Sequence, residues 1–281
     1  CSSYDVEACS WSNIPDEDFA LADDNHWTIG QFVWTGFDYL GEPSPYDTNA
    51  WPNHSSMFGI IDLASIPKDR YYLYRSVWNK KAETLHILPH WTWPGREGKV
   101  TPVFVYTNHP TAELFINGKS YGKQSKNNSS LKNRYRLMWM DAIYEPGEIK
   151  VVAYNKDGKA VAEKIVRTAG KPHHIELVSN RNELTADGKD LAYITVKVVD
   201  KDGNLCPADS RQINFSVKGA GKYRAAANGD PTNLEQFHLP KMHTFNGMLT
   251  AIVQSGETAG EIVLTAKASG VKAGNIRIQT K

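Results

Sequence analysis

Three cysteines in 281 residues exclude a disulfide framework, because Cys1, Cys9 and Cys206 cannot all pair and show no C-x-x-C metal spacing. Charge of one sign is not in excess. With 32 Lys+Arg against 31 Asp+Glu the net charge is +1, so the electrostatic footprint of a nucleic-acid or anionic-membrane binder is missing. No run of about 18 apolar residues occurs, so no transmembrane helix is expected. The opening Cys1-Ser-Ser-Tyr-Asp5 has no initiator Met and no basic region followed by an apolar stretch. No signal peptide is visible, and the chain is expected to be cut from something longer.

Catalytic signatures are also scarce. There is no G-x-S-x-G, no P-loop and no H-E-x-x-H, and the nine histidines are scattered apart from His173-His174. Asp200-Lys-Asp-Gly203 resembles the opening of a calcium loop but lacks the distal Glu, so it is read as a turn. Sequons at Asn53, Asn127, Asn128 and Asn214 carry little weight, the last lying inside an expected strand. No cofactor and no metal site are expected.

What the sequence has in quantity is aromatic: 8 Trp and 13 Tyr, which suit a sugar-facing protein and equally an aromatic-rich β core. Length alone sets a prior of about two domains. The texture changes near residue 81. Before it, Thr28 to Asp38 contains the continuous apolar run Phe32-Val33-Trp34, expected as a buried strand. The turn-rich stretch Leu40 to His54 follows, with Gly41, Pro43, Pro45, Asn49, Pro52 and Asn53. Then comes a helix with Ser65 as N-cap, Pro67 in its first turn, and Leu73/Val77 and Tyr74/Trp78 as i,i+4 pairs. Strand, loop and helix make one βα unit, and eighty residues cannot close a (β/α)₈ barrel of about 200 residues or more.

After residue 81 the pattern is short strands and turns: Val100–Thr107, Ala112–Ile116, the hairpin signal Asn117-Gly118, Lys119–Lys123, Tyr135–Trp139, Glu148–Tyr154 and Lys159–Arg167. A linker at Ala169-Gly-Lys-Pro172 leads to His174–Val178, Ala192–Val199, Gln212–Val217, Lys222–Ala227, Met248–Gln254, Gly260–Ala268 and Lys272–Gln279. Along the second of these, Ile194, Val196 and Val198 alternate with Tyr193, Thr195 and Lys197. The expected fold is mainly β: two immunoglobulin-like β-sandwiches preceded by the last βα unit of a TIM (β/α)₈ barrel. The expected boundaries are 1–81 for the incomplete barrel end, 82–170 for the first sandwich and 171–281 for the second.

Trp34 is the leading candidate for a binding residue, since an indole face can stack on the C–H face of a pyranose while its N–H donates; the alternative is a core tryptophan. Asp38, at the carboxyl end of the expected strand, is a candidate site-lining acid or a structural hydrogen-bond acceptor. Glu42 reads as a loop acid. Trp91 and Trp93 read as interdomain packing ahead of a sugar platform. A retaining glycosidase needs two carboxyl groups about 5 Å apart on different barrel strands, and one strand's acids are not such a pair.

Gln31-Phe-Val-Trp-Thr-Gly-Phe-Asp-Tyr-Leu-Gly-Glu-Pro-Ser-Pro-Tyr46 with Phe58-Gly-Ile-Ile-Asp-Leu-Ala-Ser-Ile-Pro-Lys-Asp-Arg-Tyr-Tyr72 resembles the final βα unit of the catalytic barrel in glycoside hydrolase family 2, and most of all the β-galactosidases of Bacteroides-type bacteria. His86 to Gly95 and the residues to about 170 resemble the sandwich after that barrel, and 171–281 its terminal invasin-like sandwich. The resemblance implies retaining hydrolysis of a terminal β-galactosyl residue by two glutamates on earlier barrel strands, so that no catalytic residue lies in this chain and the chain alone is silent. Trp34 matches the family's aromatic bordering the sugar subsite. The family's cation-neighbouring Asn is here Phe58, and no sodium site carries over. The implied partners are a carbohydrate substrate and the missing N-terminal part of the same enzyme or a second copy, in the periplasm or outside the cell. A carbohydrate-binding or adhesion module of tandem sandwiches is the alternative.

Overall fold

The computed structural model describes residues 4–42 and 53–281. Pro43, Pro45, Asn49 and Pro52 of the turn-rich stretch lie outside the described residues. The chain is mainly β and divides into two compact units, residues 1–35 with 67–168 and residues 36–66 with 169–281.

In the first unit, α1 (Pro15–Asp24) begins with Pro in its first turn and with Asp16, Glu17 and Asp18 where the helix dipole favours acids. α2 (Asp69–Trp78) follows, then β1 (Leu85–Leu88), β2 (Val103–Thr107), β3 (Thr111–Ile116), β4 (Lys119–Ser125), α3 (Leu131–Tyr135), β5 (Leu137–Trp139), β6 (Glu148–Tyr154) and β7 (Ala160–Arg167). The strands form two antiparallel sheets, ordered β1-β2-β5 and β4-β3-β6-β7. Both sheets contribute to one core containing Val103, Val105, Leu114, Trp139, Ile149 and Val151. The Asn117-Gly118 turn has φ of 48° and 79°, as a type I′ hairpin requires, and it sets Ile116 opposite Lys119.

In the second unit, β8 (His174–Ser179), β10 (Leu191–Val199), β12 (Gly221–Ala227) and β14 (Met248–Ser255) form one sheet, ordered β12-β14-β10-β8. β9 (Glu183–Leu184), β11 (Gln212–Gly219), β13 (Lys241–His243), β15 (Gly260–Lys267) and β16 (Gly274–Thr280) form the other, ordered β13-β11-β15-β16-β9. β9 joins β16 in parallel, whereas every other pairing between named strands is antiparallel. Ile194, Val196 and Val198 of β10 face a core shared with Ile213, Leu264 and Ile278, as their alternation predicts.

Several local expectations are corrected. Phe32-Val33-Trp34 is not in a strand, and Phe32 is fully exposed, with a relative accessibility of 104%. A continuous apolar run becomes a buried strand only where neighbours cover both faces. The pairing present is an isolated parallel bridge, Phe37 with Ile61. Ser65 has φ 63° and is not the helix cap; α2 starts four residues later, after Lys68, with no side-chain cap. Tyr135 ends α3 instead of opening a strand, and Ser130 caps that short helix by accepting from the Asn133 N–H. The strand expected from Val100 begins at Val103. Helix α1 and strands β1, β9 and β13 were not anticipated.

Candidate functional site

The two sequence-predicted binding residues fall in different units and are described separately. Trp34, near the end of the first unit's N-terminal segment, is 72% exposed and joined to Thr35 by a cis peptide bond. Its indole therefore presents most of its area to solvent within this chain. Trp27, Ile29 and Phe32 are also exposed in the same segment. Trp91, in contrast, is fully buried, donates from Nε1 to the Glu145 carbonyl at 2.9 Å and meets Tyr144 edge-on. It belongs to the core of its own unit and cannot serve as a sugar platform. Trp93 stacks on His90, their ring centroids 4.1 Å apart.

Asp38 lies in the second unit, 7% exposed, and its Oδ1 accepts the Gly59 N–H at 2.8 Å. The backbone is in place on the same side: the Asp38 N–H donates to Ile61 O at 2.9 Å, and Ile61 N–H to Gly36 O at 3.0 Å. Two strand-like pieces thus pair in parallel, and Gly59 is where they come closest. A Cβ there would stand 2.2 Å from Asp38 N, so position 59 accepts only glycine. A second short pairing follows. Leu40 bridges Ser55, Ser56 N–H donates to Tyr39 O at 2.9 Å, and Tyr39 N–H donates to Ser56 Oγ at 3.2 Å. Glu42 accepts from the Tyr39 hydroxyl. Two polar atoms on this strip, His54 Nδ1 and Ser55 Oγ, are buried and have no hydrogen-bond partner among the described residues.

Asp62 closes the strip. Its Oδ1 accepts from the backbone N–H groups of Ala64 (2.9 Å) and Ile66 (2.8 Å), an Asx-type arrangement that fixes the carboxylate. Among the described residues, no group of three or more His, Cys, Asp or Glu side chains could hold a metal ion. Asp200-Lys-Asp-Gly203 folds as a turn around a buried Asp200 carboxylate. That carboxylate accepts from Gly170 N (2.8 Å), Asp202 N (2.9 Å), Asn204 N (2.9 Å) and Asn204 Nδ2 (3.0 Å). Burial alone would raise its pKa, but these donors hold it down at about 2.

With this geometry in place, comparison with known proteins is informative. Residues 175–277 match the model of Glycoside hydrolase family 2 C-terminal domain 5. Residues 98–162 match a second model, a domain of unknown function, DUF4982. The chain is 43% identical over its whole length to beta-galactosidase BoGH2A of Bacteroides ovatus, covering 32% of that protein. It is 34% identical over 89% of its length to a putative beta-glucuronidase of Formosa agariphila, covering 24% of that protein. A crystal structure of a beta-glycosidase from Bacteroides vulgatus superposes with a TM-score of 0.89 at 35% identity, over 99% of this chain and 34% of that one. The chain thus spans about a third or less of these relatives.

Sequence reasoning named Trp34 and Asp38 but missed the partners of Asp38. Gly59 carried a signal, an isolated glycine inside the apolar run Phe58-Gly-Ile-Ile61 that marks close backbone approach.

Proposed function

We infer that this chain is the C-terminal portion of a retaining exo-β-galactosidase of family 2, acting on terminal β-galactosyl residues of oligo- or polysaccharides. The observation that carries the reading is the 43% identity along the entire chain to a protein named as a beta-galactosidase. On this reading residues 1–81 are the end of a TIM barrel, 82–170 an immunoglobulin-like sandwich and 171–281 an invasin-like one. The exposed Trp27, Ile29 and Phe32 support it, because an apolar cluster of this kind is ordinarily covered, here by earlier barrel elements of the full-length enzyme. Trp34 stacks on the sugar and Asp38 holds the strand end that borders the subsite. The two catalytic glutamates lie on earlier barrel strands, and the enzyme works in the periplasm or outside the cell.

The test compares the 281-residue chain with the full-length protein on chromogenic β-galactoside and β-glucuronide. Hydrolysis of the galactoside by the full-length protein alone is expected. Turnover by the 281-residue chain would overturn the silent-portion reading. Preference for the glucuronide, consistent with the relatives of that name, would replace the substrate.

A further inference from the structure

The second unit joins residues far apart in the chain: 36–66, which contain Asp38, and the β region that begins at Ala169. One loop of that β region, between β12 and β13, reaches the strip. Pro231 O accepts the His54 N–H at 3.0 Å. A Cβ on Gly229 would stand 2.0 Å from Asp62 Oδ2 and 2.7 Å from Asp62 Cγ. That carboxylate cannot swing aside cheaply, because its other oxygen already holds the Ala64 and Ile66 amides.

The loop is itself braced. Asn228 is buried, donates from Nδ2 to His243 O at 2.9 Å and accepts from Asp230 N–H (3.1 Å) and Asn233 Nδ2 (3.2 Å). Asp230 Oδ1 takes the Thr232 N–H (2.8 Å) and hydroxyl (2.7 Å). A rigid loop thus presses on a fixed carboxylate at one end of a strip whose other end is Asp38. From Asp62 to Asp38 the path is short: Gly59 and Ile61 lie between them, and both hydrogen-bond to the 36–38 piece.

We propose that the 228–233 loop of the C-terminal domain is a positioning element of the sugar subsite, with Gly229 and Asp230 as positioning residues acting through Asp62 on the Asp38 segment. This makes the domain part of the active enzyme's binding machinery instead of a spacer. It rests on the reading of Asp38 as subsite-bordering given under Proposed function.

The experiment has two arms. In the 281-residue chain, hydrogen exchange at the amides of residues 36–42 and 54–61 is compared among wild type, Gly229→Ala, Asp230→Ala and Val253→Ala, the last a core change in β14 away from the loop. Faster exchange on the strip in both loop variants, and not in Val253→Ala, is expected. Unchanged exchange, or equal change in Val253→Ala, overturns the positioning role whatever the substrate proves to be. Should Gly229→Ala fail to fold, Asp230→Ala, which adds no atom, decides alone.

In the full-length enzyme, the loop variants should raise KM for an aryl β-galactoside about tenfold with kcat changed less than about twofold, since a small misplacement of binding groups has effects of that size or larger. Loss of kcat with KM unchanged, or an equal rise in KM for Val253→Ala, overturns the proposal. Altered exchange with unaltered kinetics leaves the mechanical coupling standing, refutes the subsite role of Asp38 and of the loop, and so separates the two failures.

Discussion

The two segments that precede the β regions are fastened by different means. Residues 4–24 are held to the rest of the first unit by charge pairs beside aromatic packing, Phe19 being buried against Tyr74 and Tyr135 and Tyr4 lying against Phe104. The Arg136 guanidinium is buried, donates from Nε to Asp16 Oδ1 at 2.8 Å and from Nη2 to Asp16 Oδ2, and also donates to the backbone carbonyls of Tyr4 (2.6 Å) and Asp5 (3.0 Å) and to the Tyr106 hydroxyl (3.4 Å). Arg70 pairs with Asp5, and Arg134 grips Asp24 at 2.7–2.8 Å. Residues 36–66 meet the rest of the second unit through the His54 N–H donating to Pro231 O and through Gly229 fitted against the Asp62 carboxylate. Charge tolerates small shifts of a side chain but not the loss of a partner, because a buried charge left alone is costly. Backbone and glycine contacts tolerate loss of a charge elsewhere but accept no added atom. Each attachment is vulnerable to a different class of substitution.

Four measurements sharpen that contrast. The largest effect is expected for Asp16→Ala, which strands the buried Arg136 guanidinium and should cost about 3–5 kcal/mol in chemical denaturation of the first unit. A loss below about 1 kcal/mol would mean that the carbonyls of Tyr4 and Asp5 suffice. Next, Asp200→Ala should cost about 1–3 kcal/mol, since it orphans the Gly170, Asp202 and Asn204 donors around a buried acceptor. This contribution is pH-dependent with a definite sign. The folded pKa of about 2 is below the unfolded value of about 3.9, so the stabilisation is complete above the unfolded value and fades as pH falls from about 4 toward 2. The difference between wild type and Asp200→Ala should therefore shrink in that window; a constant difference would show that the hydrogen bonds do not need the ionised carboxylate.

Third, the Cys206 thiol is buried and its pKa is raised to about 11, first by burial and then by the nearby Asp200, whereas Cys9 is exposed. In a Cys1→Ser background at pH 8, one thiol per chain should react quickly with an aromatic disulfide reagent and the second only on unfolding. Two fast thiols would show that the second unit opens far more readily than its core implies. The smallest effect on stability is expected for Trp34→Ala, within about 0.5 kcal/mol, because the indole is already in solvent. In the full-length enzyme the same change should weaken sugar binding, and a large stability loss in the 281-residue chain would assign Trp34 to packing.

The parts of the fold legible beforehand are those set by local chemistry. Asn117-Gly118 specifies its hairpin through positive φ, and the alternation of β10 specifies which side of a sheet it buries. Pro15 with Asp16, Glu17 and Asp18 was an equally local signal for α1 that went unread. Phe32-Val33-Trp34 was misread because burial on both faces is a property of neighbours, not of the run itself. At the candidate site, Trp34 and Asp38 were named from their residue types and their place beside an apolar run, not from any partner. The Arg136–Asp16 pair, 120 residues apart, and the Gly229–Asp62 fit are tertiary juxtapositions that no local pattern encodes.

The Gly229–Asp62 fit also has an evolutionary reading. A side chain at 229 and a carboxylate at 62 cannot occupy the same space, so in related chains a larger residue at the first position should arrive together with a shorter one at the second. Two stretches of sequence with residues 67–168 of the first unit between them would then drift as a pair, and a recombinant that exchanged one C-terminal domain for another would inherit half of that agreement.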